Sequence, residues 1–197
     1  MNFKHLIALI IVMVIICSAG FWIVKRFRLP PYYAMGKVID SFNGVSVFYN
    51  GGVSNISGRN YTADGYNLGL KYQCVEFVKR YYYQHLNHKM PDSYGNARDF
   101  YDTHLRDSEK NKKRNLIQYS NYSEAKPEVS DLLIFSGSSF NKYGHVAIIC
   151  KVTGNEIQVI QQNPGPFGQS RERFALFRQN NKWIIDHNRV LGRLRKD

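Results

Sequence analysis

Gly144-His145-Val146-Ala147-Ile148-Ile149-Cys150-Lys151-Val152, then Thr153-Gly154-Asn155, then Glu156-Ile157-Gln158-Val159-Ile160-Gln161-Gln162-Asn163 is the stretch on which the fold turns. Two runs of aliphatic and β-branched residues flank a short polar segment containing Gly-Asn, the pattern of a β-hairpin with strands over 145–152 and 156–162. With a three-residue loop, Lys151 lies opposite Ile157, Ala147 opposite Gln161 and His145 opposite Asn163. Paired residues share a face, so Gln161 and Asn163 would both flank His145. A two-residue Gly154-Asn155 turn slips the register and presents Gln162 instead. His145 itself is a polar ring at the mouth of an otherwise apolar strand, just after a glycine. That is where a residue facing a cleft and taking up a proton would stand, although a strand-end histidine can equally be a partly exposed structural residue.

Around this hairpin the later chain is β-prone at Leu132–Phe135, Trp183–Asp186 and Val190–Leu194. The earlier chain differs. Val38–Tyr49 carries Asn43-Gly44 between two short β-prone runs, a second hairpin signal. Gly51–Gly69, rich in Gly, Asn, Ser and Tyr, reads as a surface loop. Cys74, Phe77, Val78, Tyr81 and Tyr82 recur at helical spacing and predict a helix over Cys74–Leu86. A second helix is expected from Ala97 to about Leu105, and Arg106–Arg114 reads as a solvated basic loop. Helices early and consecutive strands late define an α+β class: an antiparallel sheet with helices packed to one side.

Cys74 stands where the loop ending Lys71-Tyr72-Gln73 becomes a helix. There the positive end of the helix dipole and the unpaired backbone N–H groups favour a thiolate, and the same N–H groups suit the oxyanion formed when a carbonyl is attacked. As a small residue on the apolar stripe, Cys74 would also serve as simple core packing. His145 as base and an amide side chain as acceptor for its ring N–H would complete a Cys-His site.

Leu6–Val24 is nineteen residues without a charge, enough for a helix at about 1.5 Å per residue to cross a hydrocarbon core of about 30 Å. Lys25, Arg26 and Arg28 follow, then Pro30 and Pro31, where a helix stops. The run continues past the small residues Ser18 and Gly20 through Phe21-Trp22-Ile23-Val24, which favours an uncleaved anchor over a cleaved export signal. The charges on its two sides differ by one, leaning towards a cytoplasmic C-terminal body, and leave the side open. Residues 1–28 thus form an anchor or signal segment, 29–37 a linker and 38–197 one domain.

The 197-residue chain holds 27 Lys and Arg against 15 Asp and Glu, a net charge of +12. Removing residues 1–28 leaves 23 basic and 15 acidic residues, so the segment beside the anchor explains a third of the excess. The rest has no aromatic platform or groove-reading motif beside it, and nucleic acid is not expected as a partner. At 44% hydrophobic the chain is a folding one, and three widely separated Cys exclude both a disulfide-stapled miniature scaffold and zinc-finger spacing.

Tyr72-Gln73-Cys74-Val75-Glu76-Phe77, Tyr94-Gly95-Asn96-Ala97, Asp131-Leu132-Leu133-Ile134-Phe135 and Gly144–Ile149 occur in the order and spacing of CHAP domains, the cysteine, histidine-dependent amidohydrolases/peptidases. The resemblance spans roughly residues 38–194. It implies a papain-like fold, Cys74 as nucleophile, His145 as general base, the three-residue hairpin, and Gln161 in the orienting position. The family commonly has Glu-x-Asn there, whereas this chain reads Gln161-Gln162-Asn163. Tyr72, Gln73, Asn96 and Asn163 are candidate substrate-binding or supporting residues, and no metal or organic cofactor is implied. Two branches are similar. Bacterial cell-wall hydrolases cut peptidoglycan, which would place the catalytic domain in the periplasm on a single-pass inner-membrane anchor. The amidase of glutathionylspermidine synthetase/amidase cleaves a glutathione–polyamine conjugate in the cytoplasm. A basic domain suits an anionic wall better than a cationic conjugate. The Gln161 departure also admits a tethered wall-binding module with weak chemistry.

Overall fold

The computed structural model describes residues 3–26, 33–139, 141–166 and 168–197. Arg28, Pro30 and Pro31, and with them most of the first half of the expected linker, lie outside the described residues. Helix α1 (Phe3–Arg26) contains a 21-residue stretch, Phe3–Ile23, of mean hydropathy 2.9. Such a helix is long and apolar enough to be a membrane span or an export signal.

Strands β1 (Val38–Phe42) and β2 (Val45–Phe48) form the expected hairpin, Phe42 pairing with Val45 across Asn43-Gly44. Both turn residues have positive φ, at 47° and 80°, which is why Asn-Gly serves there. The segment Gly51–Gly69 differs from a plain loop: β3 (Arg59–Tyr61) and β4 (Asn67–Leu70) pair within it. Polar side chains hid these strands, which gain their order from packing against the next helix. Helix α2 (Cys74–Gln84) follows and buries Phe77, Val78, Tyr81 and Tyr82 on one face. Each buried side chain of this size contributes about 1.5–3 kcal/mol. The tyrosines remain satisfied inside: Asn43 Nδ2 donates to the Tyr81 hydroxyl, and the Tyr82 hydroxyl donates to the Ser130 carbonyl.

The expected second helix shrinks to a 3-10 turn, Ala97–Phe100, whose Asn96 and Asp99 form a capping box. The basic stretch 106–114 is solvated at Arg106, Lys110, Lys112 and Lys113, as expected, but it is not all loop and Arg114 departs from it. Strand β5 (Glu109–Asn111) pairs with β6 (Leu116–Ser120), and Arg114 is fully buried, its guanidinium over the Phe100 ring and donating to the Asp92 and Tyr94 carbonyls. A long side chain with several donors can be buried when carbonyls await it, which charge counting does not reveal.

The remaining strands are β7 (Leu132–Phe135), β8 (His145–Val152), β9 (Glu156–Ile160), β10 (Arg171–Gln179), β11 (Lys182–Ile185) and β12 (Val190–Arg195). With β5 and β6 they make an eight-stranded sheet in the order β11-β10-β9-β8-β7-β12-β6-β5, every pair antiparallel. One face, with Val146, Ile148 and Ile160, packs on α2; residues of the other, among them Ala147, Ile149, Val159, Phe174 and Leu176, pack on one another. Strand β10 opens on three consecutive charges, Arg171-Glu172-Arg173, and was not among the β-prone runs.

The central hairpin keeps part of its expected register. Val152 pairs with Ile157 and Lys151 with Gln158, not with Ile157, so the loop is one residue longer than expected. Cys150 is then an extra residue on β8, and beyond this bulge Ile149 faces Val159 and Ile148 faces Ile160. The pairing ends there, with β9, so Gln161 follows the strand and does not belong to it. The bulge absorbs the slip made at the turn.

Candidate active site

The thiol comes first. Tyr72, before the α2 terminus, has φ +65°, strained for an aromatic residue, and its ring packs against Phe48 at 5.6 Å. Gln73 is the N-cap but makes no capping bond with its side chain. The N–H groups of Cys74 and Val75 are therefore free to reach the Cys74 Sγ, and the Val146 N–H of β8 does so from the sheet. Burial nevertheless outweighs these donors and pushes the thiol up to about 11. The expectation of a thiolate stabilised by the helix terminus is thus corrected: removing water from around sulfur penalises the anion more than three N–H groups favour it.

His145 begins β8, pairing with Phe135. Gly144 before it has φ +76°, and a Cβ there would stand 2.5 Å from the Phe135 carbonyl oxygen, so only glycine lets the strand start here. The His145 ring is 8% exposed, with Nε2 2.9 Å from Gln161 Oε1. The Gln161 Nε2 lies 3.1 Å from both the Gln169 carbonyl and Glu172 Oε2, groups that only accept. The carboxamide orientation follows from those partners: Oε1 accepts, His145 Nε2–H donates, and the lone pair of the neutral ring is on Nδ1. Burial pushes the imidazole down to about 4 against the upward pull of the Gln161 hydrogen bond, and the Arg189 charge adds a lesser downward push. Burial thus favours the neutral form of each group, thiol and imidazole.

The neighbouring amides do other work. Asn163 does not flank His145: strand β9 ends at Ile160, Asn163 takes φ 53°, and its Nδ2 donates to the Gln73 Oε1 at 2.7 Å and the Val53 carbonyl. Gln73 spends its own Nε2 on the Asn55 carbonyl. Gln162 faces α2, donating to the Gln73 carbonyl and Glu76 Oε2 while accepting from the Phe48 N–H. Glu76, 1% exposed, also receives Asn60 Nδ2 and the Arg80 guanidinium at 2.6 Å. This net ties the loop before Cys74 to the segment after β9. Its i,i+4 Glu76–Arg80 pair was visible in the sequence; its link to Gln162 was not. Asn96 bonds Asp99, and its turn holds the approach to His145 through the Arg98 N–H on the Tyr143 carbonyl. Glu172, which no spacing in the sequence brings near His145, arrives through the pairing of β10 with β9.

Beside Gln161 and Asn163 lies a cavity of about 440 Å³, walled by Tyr33, Phe48 and Tyr49, by Pro164 and Pro166, and by Gln169 and Ser170. Among the described residues no group of three or more His, Cys, Asp or Glu is placed to hold a metal ion.

A Cys at a helix start, a His at a strand mouth and an amide holding the ring are arranged around one sheet end. The sequence model of the CHAP domain matches residues 62–163. The chain belongs to the CHAP domain family. Trypanothione synthetase of Crithidia fasciculata is 32% identical over 107 residues, 54% of this chain and 16% of that protein. The bifunctional glutathionylspermidine synthetase/amidase of Escherichia coli (strain K12) is 34% identical over 121 residues, 58% of this chain and 19% of that one. The chain therefore spans less than a fifth of these relatives. The endolysin LysIME-EF1 is 19% identical, covering 73% of this chain and 60% of its own, with a TM-score of 0.38, a likeness too distant to argue from.

Proposed function

We propose that the protein is a cysteine amidase/peptidase of papain-like fold that hydrolyses amide bonds in peptidoglycan peptides. The observation that carries this reading is the tautomer of His145: a buried ring whose Nε2–H is pinned by Gln161 keeps the Nδ1 lone pair available, on the residue that precedes the Val146 N–H facing Cys74 Sγ. In the proposed reaction Cys74 attacks the carbonyl as its proton passes to His145 Nδ1. The N–H groups at the start of α2 receive the oxyanion. The imidazolium then protonates the leaving amine, and a water deprotonated by the same ring releases the acyl group. Because burial favours the neutral form of both groups, proton transfer accompanies attack instead of preceding it.

The same reading takes Phe3–Ile23 as an uncleaved membrane anchor and residues 38–197 as the catalytic domain, in the periplasm of a bacterial inner membrane if the wall is the substrate. A glutathione–polyamine conjugate is the second reading, favoured by the identity to glutathionylspermidine synthetase/amidase; it would place the domain in the cytoplasm. The deciding experiment incubates the purified full chain in detergent micelles, beside Cys74→Ala, with muropeptides and with glutathionylspermidine. Release of a new amine from muropeptides by the intact chain alone is expected. Cleavage of neither substrate refutes both readings and leaves a tethered binding module.

A further inference from the structure

In its orienting position this chain has a neutral carboxamide, Gln161, which offers His145 a hydrogen bond but no charge. A carboxylate stands directly behind it. Glu172 Oε2 is 3.1 Å from Gln161 Nε2, and Gln161 Oε1 is 2.9 Å from His145 Nε2, a continuous line from carboxylate to ring. Glu172 pairs with Val159 on β9, so it shares a sheet face with Phe174 and Leu176, both buried in the second core cluster. Glu172 itself is exposed at the end of that stripe, so what distinguishes it is its contact with Gln161 and not its burial. Among the described residues Glu172 forms no ion pair, and Gln161 is its hydrogen-bond partner there.

We propose that Glu172 is a positioning residue for His145, acting through Gln161. Resting on the amidase reading, it does two things. It holds the carboxamide with Oε1 towards the ring; the flipped amide would turn Nε2 to His145, require the ring to accept there, and move the proton onto Nδ1, where the base must be free. Its negative charge also favours the imidazolium formed when the Cys74 proton moves to Nδ1. Glu172 itself gains and loses no proton. The other charged or titratable groups around His145 are Arg189 before β12, which opposes the imidazolium, His187 across the Phe135 ring, Arg98 against Gly144, and Cys74, whose Sγ meets the N–H of the next residue, Val146.

The test uses the full chain in detergent micelles, labelled with 15N at histidine, as wild type, Glu172→Ala, Glu172→Gln and Gln161→Glu/Glu172→Gln. Long-range 15N–1H spectra read the His145 tautomer and titration midpoint, and muropeptide hydrolysis reads kcat and KM. Expected for Glu172→Ala are a mixture of tautomers, a lower His145 midpoint, and a kcat reduced about tenfold with KM within about twofold. Glu172→Gln, which can still accept from Gln161, keeps the tautomer and loses about threefold in kcat with a lower midpoint. The double variant, with the carboxylate moved next to the ring, regains the wild-type rate. An unchanged tautomer and midpoint in Glu172→Ala overturns the proposal, and should that variant not fold, an unchanged midpoint in Glu172→Gln does so. If the wild type hydrolyses neither substrate, the amidase reading fails, while the spectra still decide whether Glu172 controls the ring.

Discussion

Acidification is expected to destabilise this protein through His145 before its carboxylates titrate. The buried ring titrates at about 4 in the folded chain, against 6.5 as its ordinary value. The folded value is the lower one, so above pH 6.5 both states hold a neutral ring and the contribution to stability is fully present. Below 6.5 the unfolded chain takes up the proton that the folded chain refuses, and stability is lost until the pH passes below about 4. The depression is worth about 3 kcal/mol in all, of which about 2 kcal/mol is already lost at pH 5. His88 and His187, whose ring pKa values are also lowered by burial, act in the same direction. The measurement is therefore a difference between wild type and His145→Gln. Chemical denaturation of both full chains in nonionic detergent, followed by tryptophan fluorescence at pH 7, 5 and 4, gives the two slopes. The wild type should lose about 2 kcal/mol more than the variant between pH 7 and pH 5. Parallel slopes would show that the ring is not held neutral by burial, and the neutral resting pair would fall with it.

Two further outcomes follow from the same geometry. Alkylation of Cys74 by a small thiol reagent should keep accelerating beyond pH 9, tracking a thiol near 11, whereas a rate that levels off below pH 8 would restore the preformed thiolate. Gly144→Ala would place a methyl group 2.5 Å from the Phe135 carbonyl oxygen at φ +76°; it should cost about 2 kcal/mol or more in thermal unfolding and at least tenfold in hydrolysis. An unaltered melting temperature would mean that the start of β8 is less tightly set than described.

The parts of the fold legible in the sequence were those written in local periodicity. Phe77, Val78, Tyr81 and Tyr82 mark α2 because a buried helix face must repeat at helical spacing. Asn43-Gly44 marks the first hairpin because few other residues accept both of its positive φ angles. The elements that escaped are short and polar or begin on a run of charges. Strands β3, β5 and β10 pair with strands next to them in the chain, but their polar and charged side chains give no apolar alternation to read, and a buried Arg114 looks in sequence like any other cation. The second hairpin lies between these cases. Its two strands were plain, yet the Cys150 bulge that restores the expected pairing of Ile148 with Ile160 has no local signature.

The sequence by itself determined the apolar α1, the class of fold and the two residues worth joining, Cys74 and His145, because composition, spacing and turn chemistry act over a few residues. Tertiary structure decided the protonation of both, since burial is a property of everything packed around a group and here overrides the helix terminus. It also decided which amide meets the ring. Gln161, Gln162 and Asn163 are adjacent in the chain, but strand pleat and the end of β9 send one to His145, one to Glu76 and one to Gln73. And only the pairing of β10 with β9 sets Glu172 behind Gln161, a contact between residues that no local pattern connects.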